Sequence, residues 1–289
     1  MMSALSVWAQ YLLPQRLLAS CVYRIARSTK PAVKNALIRW FARHFNIDLT
    51  EAEQPDLGAY ESFNAFFTRA LRNGARPIAG DEKTLVSPAD GTLSEFGVSA
   101  PDRLIEAKGI GYGLNDLLGE TTSGETTSGE TDLAFGTFAT IYLAPHNYHR
   151  VHMPLSGTLA RTRYIPGRRF SVNSATVEQI PGLFCRNERA LCWFDTAIGP
   201  MVIALIGALN VSSITTEWLG EIPSGEQRLW QDHSSPRRYY DRGDEIARFN
   251  LGSTVVLLLP SASLQWETGL SAPRTLRVGE ALGTHRGGG

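Results

Sequence analysis

Leu251-Gly252-Ser253-Thr254-Val255-Val256-Leu257-Leu258-Leu259-Pro260 sets a serine at the mouth of an unbroken apolar run. The run predicts a buried strand, entered through Arg248-Phe249-Asn250. Glycine before a serine leaves the preceding carbonyl sterically open and conformationally free, so the Ser253 hydroxyl is a candidate for attack on its own peptide bond. Such a reaction would leave residue 253 at a new N-terminus as a carbonyl group. The same hydroxyl also suits a bulge or a plain strand start.

A nucleophilic serine needs a base, and the base needs an orienting acid. Two distant segments supply the residue types. Ser87-Pro88-Ala89-Asp90-Gly91 is a Pro/Gly turn that presents a carboxylate. Ala144-Pro145-His146-Asn147-Tyr148-His149-Arg150-Val151-His152-Met153-Pro154 places three of the six histidines within seven residues, behind the strand-like Phe138-Ala139-Thr140-Ile141-Tyr142-Leu143. His146, His149 and His152 at spacing three could imitate a metal row on a helix, but Pro145 and Pro154 oppose a long helix, and no metal is expected.

These motifs, with Pro181-Gly182-Leu183-Phe184-Cys185-Arg186-Asn187-Glu188-Arg189, resemble bacterial phosphatidylserine decarboxylases of the pyruvoyl-dependent, prokaryotic type I group. The likeness runs from Phe63-Asn64-Ala65-Phe66-Phe67-Thr68-Arg69 to Val278-Gly279-Glu280-Ala281-Leu282-Gly283. It implies a precursor cut between Gly252 and Ser253 into a large chain, 1–252, and a small chain, 253–289. It implies a covalent pyruvoyl cofactor made from Ser253, and phosphatidylserine in an anionic membrane as the partner, converted to phosphatidylethanolamine and carbon dioxide through a Schiff base. Asp90, His152 and Ser253 would drive the cut, and His149 would donate the proton or hold the substrate carboxylate. His146 is not required by the pattern and is expected at the surface. Arg168, Phe170 and Asn173 resemble a substrate-side loop, arginine being suited to a lipid phosphate. Asn187, Glu188 and Arg189 receive no role beyond shaping the pocket.

The net charge is zero, yet residues 1–45 hold seven Lys or Arg and no acid, leaving 21 basic against 28 acidic residues elsewhere. Leu5, Trp8, Tyr11 and Leu12, then Leu17, Leu18, Cys21, Val22 and Ile25, recur at helical spacing, as do Val33, Leu37, Ile38, Phe41 and Phe45. Cations interleave with them. Amphipathic helices of this kind suit the plane of an anionic membrane, or a pair packed on the core with a solvated basic face. No stretch approaches the roughly 18 apolar residues of a membrane span, and Pro14 with the arginines breaks any signal-peptide core. The expected location is peripheral, on the cytosolic face of the cytoplasmic membrane.

With 289 residues, 43% of them apolar, the chain can bury a sizeable core. Beyond about residue 75 the period shifts toward two, with short runs punctuated by Gly and Pro. The expected fold is therefore α+β: N-terminal amphipathic helices over residues 1–74 on a β-rich catalytic domain over 75–289. Tyr60 to Leu71, with Phe63, Phe66, Phe67 and Leu71 on one face, is read as the docking helix between them. The GETTS repeat at 119–131 cannot pack a core and reads as a dispensable flexible insertion. Cys21, Cys185 and Cys192 form no CxxC pair and are expected to be buried thiols in a reducing compartment. No nucleic-acid partner is expected, and association of two copies is left open.

Two other classes fit parts of the pattern. A Ser-His-Asp hydrolase would use the same three residues but normally carries GxSxG, and Gly252-Ser253-Thr254-Val255-Val256 lacks the second glycine. A noncatalytic membrane-binding β-domain would leave the histidines idle.

Overall fold

The computed structural model describes residues 15–98, 104–107, 110–119, 135–208, 213–222, 229–233, 236–260 and 264–285. The first fourteen residues and nearly all of the GETTS repeat lie outside them. The helices are α1 (Gln15–Ala26), α2 (Pro31–His44), α3 (Phe63–Phe67), α4 (Leu114–Leu118), α5 (Ser174–Val177) and α6 (Leu183–Arg186). The first strands are β1 (Thr84–Val86), β2 (Gly91–Val98), β3 (Leu104–Ala107), β4 (Ile110–Tyr112), β5 (Phe135–Leu143) and β6 (Arg150–His152). Then come β7 (Gly157–Ile165), β8 (Arg189–Thr196), β9 (Gly199–Gly207), β10 (Ser213–Thr216), β11 (Gly220–Ile222) and β12 (Leu229–Asp232). The last are β13 (Arg238–Tyr240), β14 (Glu245–Asn250), β15 (Ser253–Pro260), β16 (Leu264–Trp266), β17 (Arg274–Leu276) and β18 (Ala281–His285).

The run quoted first is the middle of the largest sheet. Its order is β12-β7-β8-β9-β15-β5-β2-β17, with β13 also on β7. β15 pairs antiparallel with β5 on one side and β9 on the other, so Val255 sits between Ile141 and Leu205. Side chains alternate across a sheet. Val255, Leu257 and Leu259 enter one core cluster with Ile141, Ile203, Leu205 and Phe194, while Val256 and Leu258 enter a second with Val202, Ile206 and Trp193. Apolar burial on both faces is why the run shows no polar alternation. A smaller sheet, β11-β10-β14-β6, carries the chain up to Asn250.

The N-terminal portion is helical, as expected, but its two longer helices differ. In α2, Ile38 and Phe41 are buried in a third cluster with Tyr60, Phe63, Phe66, Phe67 and Leu251. The face of α1 turned inward is made of Ala19 and Ala26, whereas Leu17, Leu18 and Ile25 are exposed; on α2, Val33 and Trp40 join them. Arg27, just past α1, reaches Glu221 of β11 at 2.6 Å.

Two expectations are corrected. The docking helix spans only Phe63–Phe67: the Ser62 hydroxyl caps its start by accepting from Ala65 N, and the Thr68 hydroxyl donates to Asn64 O at its end. The chain then extends so that Leu71 bridges Ala52 instead of sharing the helical face. Cys21 is exposed, because α1 turns its alanines inward, while Cys192 is buried and Cys185 half-buried.

Candidate active site

Between Asn250, the last residue of β14, and Ser253, the first of β15, only Leu251 and Gly252 carry the chain from the smaller sheet into the larger one. Both take left-handed backbone, φ 87° and 59°. Glycine accepts this freely, but leucine does not, and such a residue stores strain on the order of 1–3 kcal/mol. The Leu251 side chain is held in the aromatic cluster of α2 and α3, which fixes the strained conformation. No atom approaches the place a side chain on Gly252 would occupy. Ser253 follows at once, fully buried, its Oγ without a hydrogen-bond partner.

The Ala144–Asn147 turn, closed by Asn147 Oδ1 accepting from Ala144 N at 2.7 Å, precedes β6. It leaves His146 exposed, as expected of a surface residue, and sends His149 inward to zero exposure. The His149 ring stacks on Phe67, centroids 4.0 Å apart, and neither of its nitrogens makes a well-aligned hydrogen bond, although the Pro145 and Ala144 carbonyls lie close enough to favour its charged form. Burial, reinforced by the Arg69 charge, pulls its pKa down to about 3, so the imidazole is neutral near pH 7.

His152, at the end of β6, has both nitrogens engaged. Nδ1 is 2.7 Å from Gly243 O and Nε2 is 3.0 Å from the Tyr148 hydroxyl. The carbonyl can only accept, so Nδ1 carries the proton and Nε2 holds the basic lone pair. Its pKa is lowered by burial, against the Gly243 carbonyl and the charges of Glu245 and Asp90, which raise it.

Asp90 is brought to this region by the Ser87–Gly91 turn, which is stitched to β6 by His152 N donating to Pro88 O at 2.8 Å. Its carboxylate accepts from Arg76 Nε at 2.9 Å, Arg76 Nη2 at 2.5 Å and Val278 N at 2.8 Å. Asp90 makes no hydrogen bond to His152, and His152 makes none to Ser253. The turn and β6 thus share a backbone junction, but the relay expected from the sequence is not assembled in the uncut chain. Gly243, not Asp90, selects the His152 tautomer. Catalytic hydrogen bonds are often long or absent before the reacting complex forms.

The three loop residues are used differently from one another. Arg168 is exposed. Phe170 is packed in the second core cluster. Asn173 caps α5, its Oδ1 accepting from Thr176 N and Oγ1 and its Nδ2 donating to Ser171. Asn187 locks this loop to β9 by donating to Phe170 O and Gly207 O, each at 2.8 Å, and accepting from Phe170 N. Gly207 is the β9 partner of Ser253, and a Cβ there would lie 2.8 Å from Glu188 Cγ, so only glycine fits.

Arg76, Tyr148, Gly243 and Arg69 were not singled out as site residues by sequence reasoning. Tyr148 lies inside the histidine segment and so carried a signal; Arg76 and Gly243 approach only through the fold.

A buried serine, two histidines and an arginine-held aspartate on a β scaffold are the residue types of an enzyme site. Residues 63–284 match the family model described as phosphatidylserine decarboxylase, and residues 5–46 match a second described as PSD. Among similar proteins, the phosphatidylserine decarboxylase proenzyme of Marinobacter nauticus is 44% identical over 98% of both chains. That of Methylococcus capsulatus is 45% identical over 96% of this chain and 95% of its own. That of Azotobacter vinelandii is 44% identical over 98% and 99%. The chain belongs to the phosphatidylserine decarboxylase family.

Proposed function

We propose that this protein is a self-cutting precursor of a phosphatidylserine decarboxylase, and the observation that carries the proposal is the unpartnered, buried Ser253 hydroxyl behind the strained Leu251-Gly252 pair. Ser253 Oγ attacks the Gly252 carbonyl carbon while His152 Nε2, released from Tyr148, takes the hydroxyl proton. The C–N bond breaks and an ester replaces the amide. The His152 imidazolium returns its proton to the departing Ser253 nitrogen; elimination then removes the Ser253 Cα proton as the Cβ–Oγ bond breaks, leaving the Gly252 carboxylate and a dehydroalanine that takes up water and releases ammonia to give the pyruvoyl group. Strain at Leu251 lowers the barrier to leaving the amide. Asp90, pinned by Arg76, acts through its negative field, which favours the imidazolium form of His152.

The two products stay together. Within the small chain β15 keeps its ladders with β5 and β9, β17 its ladder with β2, and β18 its ladder with β1.

The donor set fits the pyruvoyl group, since it is built from Ser253 itself beside an open flank at Gly252. Its ketone supplies a covalent attachment for the substrate amine and a sink for electrons as carbon dioxide leaves. His149, buried and neutral, first takes up a proton and then passes it to the carbon that has lost the carboxylate, so its role is that of a relay. Arg168 remains in solvent at the loop edge, available to an anionic lipid surface, whereas Phe170 and Asn173 shape that loop from within.

Residues 1–74 serve as the membrane-associating region. α1 and α2 present Leu17, Ile25 and Trp40 outward beside exposed Arg24, Lys30, Arg39 and Arg43. Each such apolar side chain contributes roughly 1.5–3 kcal/mol when buried in lipid. Among the described residues no helix is long and apolar enough to cross a membrane. The exposed apolar side chains beside these cations support peripheral binding, on this reading to the anionic cytosolic leaflet.

Intact mass under denaturing conditions tests the reading. Two chains meeting at Gly252 and Ser253, the smaller carbonyl-reactive at its N-terminus and the preparation releasing carbon dioxide from phosphatidylserine, is the expected result. One unmodified, inactive chain would overturn it and return the hydrolase to consideration.

A further inference from the structure

Arg69 is 6% exposed, yet its guanidinium makes no hydrogen bond or ion pair among the described residues, and its Nε is buried without a partner. Among the described residues its guanidinium meets one aromatic ring, the face of Phe66, 5.6 Å from the centroid. Burying an arginine without an anion costs several kcal/mol, so an orphaned guanidinium implies a missing counter-charge. The neighbours do not supply it. Asp90 is within electrostatic range but is held by Arg76 and Val278 N. Asp48 accepts from Thr50 N, the Tyr60 hydroxyl donates to Gln54 O, and the Tyr148 hydroxyl lies against His152. Arg69 also acts on His149, whose ring stacks on Phe67 two residues earlier in the chain.

Resting on the decarboxylase reading above, we propose that Arg69 is the receptor for an oxyanion of the phospholipid headgroup, completing with His149 and residue 253 the chamber in which the headgroup is held. A planar guanidinium matches two oxygens of a phosphodiester or a carboxylate. Of these, the phosphodiester keeps its charge throughout, so gripping it favours ground state and transition state alike; gripping the departing carboxylate stabilises only the ground state. Phe66, which lies over Arg69, belongs with Phe67 to the aromatic cluster that also holds Leu251, two residues before Ser253.

The test uses the two-chain enzyme in mixed micelles with Arg69→Met and Arg69→Lys. A charged hydrogen bond is worth about 1.5–3 kcal/mol, so Arg69→Met raises KM for phosphatidylserine by about ten- to a hundredfold with a much smaller change in kcat, and Arg69→Lys falls between. Inhibition by phosphatidylethanolamine, which keeps the phosphodiester but lacks the carboxylate, distinguishes the sources. A parallel rise in its inhibition constant assigns the phosphodiester, and a rise in KM alone assigns the carboxylate. An unchanged KM in a cut variant overturns the proposal. If Arg69→Met does not accumulate, Arg69→Lys decides by the same criterion. Failure of the decarboxylase reading is separate: the wild-type chain would then release no carbon dioxide.

Discussion

Two groups of buried polar residues flank the start of β15, and they are built in opposite ways. Beyond Gly207, the Glu188 carboxylate accepts from Arg169 Nε at 2.9 Å, Arg169 Nη2 at 3.0 Å and the Tyr164 hydroxyl at 3.0 Å, while the Asn187 amide makes three bonds. Toward α3, Ser253 Oγ, both His149 nitrogens and Arg69 Nε make no well-aligned hydrogen bond. A satisfied network rigidifies and specifies; an unsatisfied one costs stability and persists where chemistry uses it. Arg169 and Glu188 are therefore scaffold, although Glu188 lies in the Pro181–Arg189 run that helps carry the family likeness, and the orphaned groups are where substitution changes reaction more than folding.

The largest effect tests this division at Ser253. Ser253→Ala removes the nucleophile and a hydroxyl with no partner, so cutting and decarboxylation are abolished while the urea midpoint of the chain is held or raised and vesicle binding persists. Denaturing electrophoresis, carbon dioxide release and a melt in urea give the three readings. Normal cutting in this variant would sink the mechanism.

The converse holds on the scaffold side. Arg169→Met leaves Glu188, whose side chain is 3% exposed, as an uncompensated buried charge and should cost about 3–5 kcal/mol of stability. Cutting of whatever folds should proceed, since neither residue touches the serine. A variant of unchanged stability that no longer cuts would reverse the comparison.

The sequence made the scaffold legible where physics is local. The five-residue apolar run of β15 and the runs that became β5, β7, β8 and β9 are periodic and bounded by Gly or Pro, and the helical spacing of 17–45 is equally plain. It failed where tertiary structure overrode spacing. Leu71 shares a helical period with Phe63 and Phe67 but is drawn into a bridge with Ala52. The row of Leu17 and Ile25 is open to a membrane-facing or a core-facing reading, and the fold leaves it exposed while small alanines take the inner face. Asp90, His149, His152 and Ser253 were found by residue type and family likeness, whereas their pairing was not. That Gly243 would orient His152, and that Arg76 would hold Asp90, depends on contacts across 91 and 14 positions of sequence.

The smallest effect concerns His149 and pH. Its folded pKa of about 3 lies below the ordinary 6.5, so as pH falls below 6.5 the unfolded chain takes up a proton that the folded chain refuses. Stability therefore rises with pH across this window and is fully present above it, and moving from pH 7 to pH 5 removes roughly 2 kcal/mol through this residue. Phenylalanine at 149 keeps the stack on Phe67 and abolishes the titration. In the uncut Ser253→Ala background, urea unfolding at the two pH values should show His149→Phe losing less stability than its parent by about that amount. Equal losses would mean that the folded chain binds the proton as readily as the unfolded one, which would remove His149 from the orphaned group and overturn its reading as a neutral ring near pH 7.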